Sequence, residues 1–285
     1  MARLWRASEA ERMQVSCVIV AYHRPDHIAR LLDGLHDSRV EVIVVNVEDD
    51  ARLRGIACDR VVPTANNRGY AAGVNTGVAA STGDVVVFMN DDVETSVPDV
   101  IRLADRITCG HADVSIPLVL DRNGNFELGN RLPLGLARRM LLNGGAIPEH
   151  PLSVDAAWAP MVAVRRDLIR AIPVPEDYFM YWEEFDWFHQ LRTSGVRIEV
   201  NPSARIRHEG SPQRPEKSRL LARNAVRCVR RIRGRWAALR AWPVVVMWQL
   251  QQLAMTALNR RGRAPLAAHA AGFVAALAAW GEIWA

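Results

Sequence analysis

Three runs of β-branched and aliphatic residues, VSCVIVA at 15–21, VEVIVV at 40–45 and DVVVFM at 84–89, constrain this 285-residue chain more than any other feature. None shows the apolar/polar alternation of a strand with one wet face. Each therefore reads as a strand buried on both sides, which is the habit of parallel sheets covered by helices. Helical signals lie between them. Pro25 and Asp26 open a pattern that puts Ile28, Leu31, Leu32 and Leu35 on one face, and a glycine-punctuated helix is expected over 69–80, after a short strand at Arg60, Val61 and Val62. Strands joined by helices in this way predict an α/β fold whose ligands bind beyond the carboxyl ends of the strands.

Further along, the pattern predicts a helix near 100–107, a strand at 113–118, a loop-rich stretch over 121–151 and a strand at 157–164. A helix from Glu183 to Thr193, short strands at 197–200 and 204–207, and helices from about Glu216 onward complete the reading. This divides the chain into an extension (1–14), an α/β domain (15–215) and a helical tail (216–285). The four cysteines are widely spaced with no CxxC pair, which excludes a zinc ribbon and a small disulfide framework and fits a reducing cytoplasm. The first fourteen residues lack an apolar core long enough for a signal peptide, so secretion is not expected.

The chemistry is expected where acids follow buried strands. Asp91 and Asp92 come directly after the third run, and a buried carboxylate doublet is costly unless it meets a cation or a charged ligand. A turn or helix cap is the plainer account. A second acidic cluster, Glu183-Glu184-Phe185-Asp186, starts a helix, where acids also complement the helix dipole. Gly69, Gly73 and Gly77 recur every four residues in NRGYAAGVNTGVAASTGD (67–84). They give a helix face smooth enough for close packing on a sheet or on a ligand, and Asn67, Arg68 and Asn75 add polar groups that favour the ligand.

Taken in order, VSCVIVAYHRPDHIARLL, NRGYAAGVNTG, VVVFMNDDVE and YFMYWEEFDW resemble glycosyltransferase family 2 with the GT-A fold, in particular its bacterial rhamnosyltransferase-like members, over about 15–215. The resemblance implies an inverting, metal-dependent transfer of a sugar from a nucleoside diphosphate, dTDP-rhamnose or a UDP-sugar, to a hydroxyl of a glycan or lipid-linked acceptor in cell-envelope synthesis. It places the metal motif on Asn90-Asp91-Asp92, with Asp92 as direct ligand of Mg²⁺ or Mn²⁺, Asp91 as a ribose or outer contact, and His208 completing the ion's site. A hard cation there neutralises charge on the leaving diphosphate. Asn90 stands where the family usually has Asp, so one negative charge is missing. The general base falls on Glu184, with Glu183 and Asp186 as the alternatives. Nucleotide contacts are expected from Ala21, Tyr22, His23 and Arg24 after the first strand, from Asn46 after the second, and from Asn67, Arg68, Gly69, Asn75, Asn90 and Asp91. Trp158 replaces a small residue and either shapes the acceptor pocket or belongs to the core.

Charge sets the tail apart. Residues 217–263 hold twelve Lys and Arg and no Asp or Glu, while the whole chain is only +5, so the remainder is net negative. Arg219, Arg223, Arg227, Arg230, Arg231 and Arg235 recur at helical steps opposite Ala225, Val229, Ile232 and Trp236, and Trp242, Trp248, Trp280 and Trp284 follow. A helix lying on an anionic membrane at the inner face of the plasma membrane is expected, against an ordinary packed subdomain. Nucleic acid is not expected, because no groove-reading motif accompanies the charge. A catalytically weak nucleotide-sugar-binding scaffold and a nucleotidyltransferase stay open as other functions.

Overall fold

The computed structural model describes residues 14–22, 24–121, 123–125, 147–210, 212, 214–258 and 263–285. The first half runs β1 (Val15–Ala21), α1 (Pro25–Gly34), β2 (Val40–Asn46), β3 (Arg60–Pro63), α2 (Tyr70–Ala80), β4 (Val85–Asn90), β5 (Val93–Glu94), α3 (Val97–Thr108) and β6 (Val114–Leu120). The second runs β7 (Leu152–Ser153), β8 (Met161–Arg165), α4 (Arg166–Ala171), α5 (Glu183–Thr193), β9 (Ile198–His208), α6 (Pro215–Arg233), α7 (Arg235–Leu258), α8 (Arg263–Ala278) and α9 (Trp280–Trp284).

Among the described residues, nine strands form one sheet in the order β3-β2-β1-β4-β8-β6-β9-β5, with β7 added on β9. β3, β2, β1 and β4 are mutually parallel, as the apolar runs require, and every residue of β1 and β2 is buried. At β8 the sheet changes sense, because β8 pairs antiparallel with both β4 and β6. β6 and β9 run parallel again, so the chemistry-bearing acids after β4 sit beside the reversed strand β8. The order β3-β2-β1-β4 reverses its progression between β1 and β4, and such a switch point leaves a crevice at the carboxyl ends of these strands.

Glycines set how closely α2 lies on this sheet. A Cβ on Gly73 would stand 2.7 Å from Val20 and one on Gly77 would stand 2.2 Å from Val18, so the smooth face seen in the sequence is a packing face against β1 and β2. Two expected boundaries moved. The strand expected over 157–164 is Met161–Arg165, and the two short strands after Arg197 are one, Ile198–His208, because the polar Asn201-Pro202-Ser203 step is absorbed at a register shift against β6 rather than ending the strand. Most of the loop-rich 121–151 stretch, residues 126–146, lies outside the described residues, as does the extension up to residue 13.

The helices after residue 215 are not a detached tail. Ala222, Ala225, Val226, Cys228 and Val229 of α6 share an apolar cluster with Ala238 and Val245 of α7, Ala276 of α8, Ile283 of α9, and Tyr178 and Trp182 of the preceding segment. A fully buried Val contributes about 1.5–3 kcal/mol. Val226 and Val229 are buried in this cluster, which ties α6 to the helices after it and, through Tyr178 and Trp182, to the segment before α5.

Candidate active site

Asp91 and Asp92 occupy the turn between β4 and β5, and the sheet around them explains their neighbours. β1 and β4 are in register up to Val20 and Asn90, so the chain leaving β1 passes beside Asp91, and Tyr22 N donates to Asp91 Oδ2 at 2.8 Å. β5 pairs antiparallel with β9, with Val93 opposite His208, which brings His208 Nε2 to 3.3 Å from Asp92 Oδ1. Arg24 Nη1 lies 3.6 Å from Asp92 Oδ2. The two carboxylates respond differently. Burial pushes Asp91 up to about 6, with the charge of Asp92 adding to it. Burial opposes ionisation of Asp92 as well, yet the hydrogen bond and charge of His208, helped by Arg24, hold it below its ordinary value.

Across the mouth, α5 presents Glu183 and Glu184. Each has a buried carboxylate oxygen, Oε2, with no hydrogen-bond partner among the described residues. Burial pushes Glu184 up to about 7, and burial together with the charge of Glu184 raises Glu183 further. The backbone that delivers them is unusual: Phe179, Tyr181 and Trp182 have φ of 66°, 68° and 76°. Positive φ in residues with bulky side chains costs on the order of 1–3 kcal/mol each and persists only where the surroundings enforce it. Gly69 makes room for this segment. At φ 96° its missing Cβ would overlap the Phe179 carbonyl oxygen, and Tyr70 N donates to that same oxygen at 2.7 Å.

Tyr70, the first residue of α2, is the member of the site that sequence reasoning missed. Its buried hydroxyl has no hydrogen-bond partner among the described residues, and burial followed by the charges of Glu183, Glu184, Asp92 and Asp91 raises its pKa far above the ordinary phenol. It stands electrostatically between the two carboxylate pairs. A tyrosine at a helix start carries no signal that would have singled it out. Beside it, Trp158 stacks on Tyr181 with ring centroids 6.4 Å apart and planes 13° apart, and Lys217 Nζ lies 5.9 Å from the centre of the Tyr181 ring. Trp158 belongs to the wall of the mouth rather than to the main core.

Several residues expected in the site are engaged elsewhere. Asp186 accepts from Tyr178 Oη at 2.9 Å, Arg231 Nε at 2.7 Å and Gln190 Nε2 at 3.2 Å, which makes it an anchor between α5 and α6 and unsuited to take a proton. Asn46 is buried and uses its amide on both backbone groups of Asp50, at 3.0 and 2.8 Å, so it shapes the loop after β2 instead of offering a free edge to a base. Asn75 points to the far side of α2, bonding Val174 O and Glu176 Oε1 at 2.9 Å each and Val174 N at 3.1 Å. Asn67 bridges Glu48 and Gly69 N, and Arg68 pairs with Glu176. Asn90 N donates to Pro160 O at 2.9 Å, Ala21 is buried at the end of β1, and Tyr22 is 45% exposed at the mouth. His23 lies outside the described residues.

Among the described residues no three His, Cys, Asp or Glu side chains converge tightly enough to hold an ion unaided. Asp92 and His208 still form a buried carboxylate and imidazole donor pair at one spot. That pair fits a divalent ion which draws its other ligands from phosphate oxygens and water, and the imidazole favours Mn²⁺ over Mg²⁺.

A mixed sheet with acids at its change of sense, a partnered pair facing an unpartnered pair across one mouth, defines the GT-A class of glycosyltransferases. The family model described as Glycosyl transferase family 2 matches residues 16–172, and the chain belongs to that family. A hexosyltransferase of low-salt glycan biosynthesis, Agl10 of Haloferax volcanii, is 24% identical over 194 residues, covering 65% of this chain and 63% of its own, so the chain spans under two thirds of that relative. The solved mannosyltransferase PcManGT from Pyrobaculum calidifontis, in complex with GDP-Man and Mn²⁺, matches at a TM-score of 0.57 and 14% identity over 96% of this chain and 87% of that one. GalNAc-T7 with UDP, GalNAc and Mn²⁺ matches at 0.57 and 15% identity, over 76% and 47%. TarS 1–349 of S. aureus in complex with UDP matches at 0.53 and 17%, over 94% and 90%. Likeness at these identities carries the fold.

Proposed function

We propose that this family 2 glycosyltransferase moves a sugar from a nucleoside diphosphate, a UDP- or dTDP-sugar such as dTDP-rhamnose, to a hydroxyl of a glycan or lipid-linked acceptor in one inverting displacement. The observation that carries the reading is the contrast across the mouth: His208 and Arg24 hold Asp92 below its ordinary value, while burial of the carboxyl group of Glu184 pushes it up to about 7. Asp92 and His208 would hold a divalent ion, which when bound would supply electrostatic stabilisation of the departing diphosphate. Arg24 adds positive charge on the same side, and Asp91, tied to Tyr22 N, fixes the loop after β1 against the nucleotide. On the other side Glu184 accepts the proton of the acceptor hydroxyl as its oxygen attacks the anomeric carbon. Trp158 and Tyr181 form the wall along which a sugar acceptor would lie.

The test is purified full-length protein with a panel of UDP-, dTDP- and GDP-sugars, read as Mn²⁺- or Mg²⁺-dependent thermal stabilisation and as release of the nucleoside diphosphate. Metal-dependent stabilisation by one donor supports the reading. No response to any donor, with or without metal, rejects it. Stabilisation with no turnover for any acceptor would instead favour a binding scaffold.

Contact with an anionic membrane belongs to the same reading. Trp236, Met247, Met255, Leu258, Val274 and Trp284 are large apolar side chains exposed on α7, α8 and α9, and residues 263–284 are long and apolar enough to cross a membrane by length and composition. The arginines are a weaker support than their spacing implied. Arg227 pairs with Glu282 and Asp177 O, and Arg231 pairs with Asp177 and Asp186, so two of the stripe face protein. Binding of the full chain to anionic vesicles, lost in the triple variant Val274→Glu, Leu277→Glu, Trp284→Glu, is the expected result. Equal partition of variant and parent rejects membrane contact.

A further inference from the structure

Asn224 lies on α6, in the part of the chain whose sequence is dominated by arginines, and none of the chemistry above uses it. It is completely buried. Its Nδ2 donates to three backbone carbonyls at once, Tyr178 O at 2.9 Å, Met180 O at 2.8 Å and Tyr181 O at 3.1 Å. These carbonyls belong to the segment in which Phe179, Tyr181 and Trp182 adopt positive φ, and the next residues are Glu183 and Glu184. A turn built from bulky residues in left-handed conformations points its carbonyls in directions no helix or strand would satisfy. A side-chain amide brings two hydrogens and no charge, so it reaches three carbonyls by sharing one hydrogen between two of them, whereas a hydroxyl brings one and a carboxylate none.

The same face of α6 grips the segment at other points. Trp182 Nε1 donates to Leu221 O at 3.0 Å, Arg227 Nη1 donates to Asp177 O, and Arg231 Nε holds Asp186. On its opposite side the segment rests on the start of α2, through Tyr70 N and the Phe179 carbonyl. The turn into α5 is therefore clamped between two helices, with Asn224 at the centre of the clamp.

We propose that Asn224 is the positioning residue of the catalytic base: by fixing the carbonyls of Tyr178, Met180 and Tyr181 it holds the left-handed turn that aims Glu183 and Glu184 into the site. It touches neither donor nor ion, so its effect is confined to the acceptor side. This rests on the proposed transfer reaction for its kinetic arm and on the fold alone for its structural arm.

The experiment compares Asn224→Ala with the parent as full-length protein, at a temperature where both are folded by circular dichroism. Expected are a fall in kcat of about 100-fold, the usual result of displacing a catalytic group by about 1 Å, with the KM for donor and its metal-dependent thermal stabilisation within about twofold of the parent. Hydrogen exchange should rise across 178–186 and stay unchanged over 85–92. Adding Phe179→Gly, which lets one left-handed position be adopted without a side chain's resistance, should recover about tenfold of the lost kcat. A folded Asn224→Ala with parental kcat overturns the proposal, and so does a loss spread equally over donor binding and kcat. If Asn224→Ala does not fold, Asn224→Ser, which keeps a small polar side chain but brings one hydrogen in place of two, takes its place, with the same split expected at about tenfold; parental kcat in that variant overturns the proposal equally. If the parent transfers no sugar at all, the proposed reaction fails while the exchange pattern still decides the clamp: protection at 178–186 unchanged by the substitution would overturn it.

Discussion

The two carboxylate pairs of this molecule are both buried acids, yet they differ in the groups that surround them. Asp91 and Asp92 stand at the end of a regular, fully buried parallel strand, within reach of a backbone N–H, a guanidinium and an imidazole. Glu183 and Glu184 stand at the end of a distorted turn and, among the described residues, meet no positive charge at hydrogen-bond distance. A carboxylate that meets an imidazole and a guanidinium, as Asp92 does, is held below its ordinary value and is suited to a cation and a diphosphate. One that is buried without partners has its pKa lifted toward the working pH and is suited to taking a proton. Placing both on one mouth separates the handling of the leaving group from the handling of the nucleophile.

The largest expected effect strikes the partnered side. Asp92→Asn should lower kcat/KM by at least about 1,000-fold, the several kcal/mol that an ion contributes at a developing anion, and abolish metal-dependent donor stabilisation in a thermal-shift assay. A variant that kept that stabilisation would erase the contrast between the pairs. On the unpartnered side, Glu184→Gln should lower kcat by about 100- to 10,000-fold while leaving donor affinity intact. The same variant should remove the rise in activity that the parent shows as pH climbs through about 7, where Glu184 loses its proton.

Stability carries a matching signature with a definite sign. The raised pKa of Glu184 means that its contribution to folding is fully present below the ordinary carboxylate range and is lost as pH rises through about 7. Glu184→Gln should therefore melt higher than the parent at pH 8, with the gap closing at pH 4.5, as differential scanning calorimetry can follow. Next in size, Arg231→Ala leaves the buried Asp186 without its cation and should destabilise by about 2 kcal/mol in urea titration, below the loss for a wholly buried pair because Arg231 is itself partly exposed. Smallest is Trp158→Ala, which should raise the acceptor KM about three- to tenfold, the worth of an aromatic contact, with no change in the donor KM.

The parallel half of the fold was legible because both faces of its strands are covered, which leaves uninterrupted β-branched runs that nothing else in the chain resembles. Asp91 and Asp92 were legible for the converse reason, as acids breaking such a run. His208 reached Asp92 through a strand pairing between β5 and β9, and the family resemblance supplied what periodicity could not. The polar residues of 67–75 misled, because Asn75 turns to partners about 100 positions away and Asn67 to a local turn, and neither contact leaves a mark on sequence pattern. Asp186 looked equivalent to its two acidic neighbours, yet its position on the helix turns it toward α6. Asn224 was hidden among arginines whose charge drew the functional reading toward the membrane instead of toward the turn beneath it.

The absence of a side chain at Gly69 has a consequence for the order in which the molecule is made. Residues 69 and 179 must meet with no space for a single extra carbon, and the segment that contains 179 is completed only by contact with residue 224. The donor half can close early during synthesis from neighbouring strands and helices, whereas the proton-accepting half waits for chain more than 40 residues further on. We expect a ribosome-tethered chain ending near residue 215 to resist proteolysis over β1–β4 but to be cleaved around 178–186, and a chain extended past α6 to be protected at both. The catalytic mouth would thus be the last part of the enzyme to be finished.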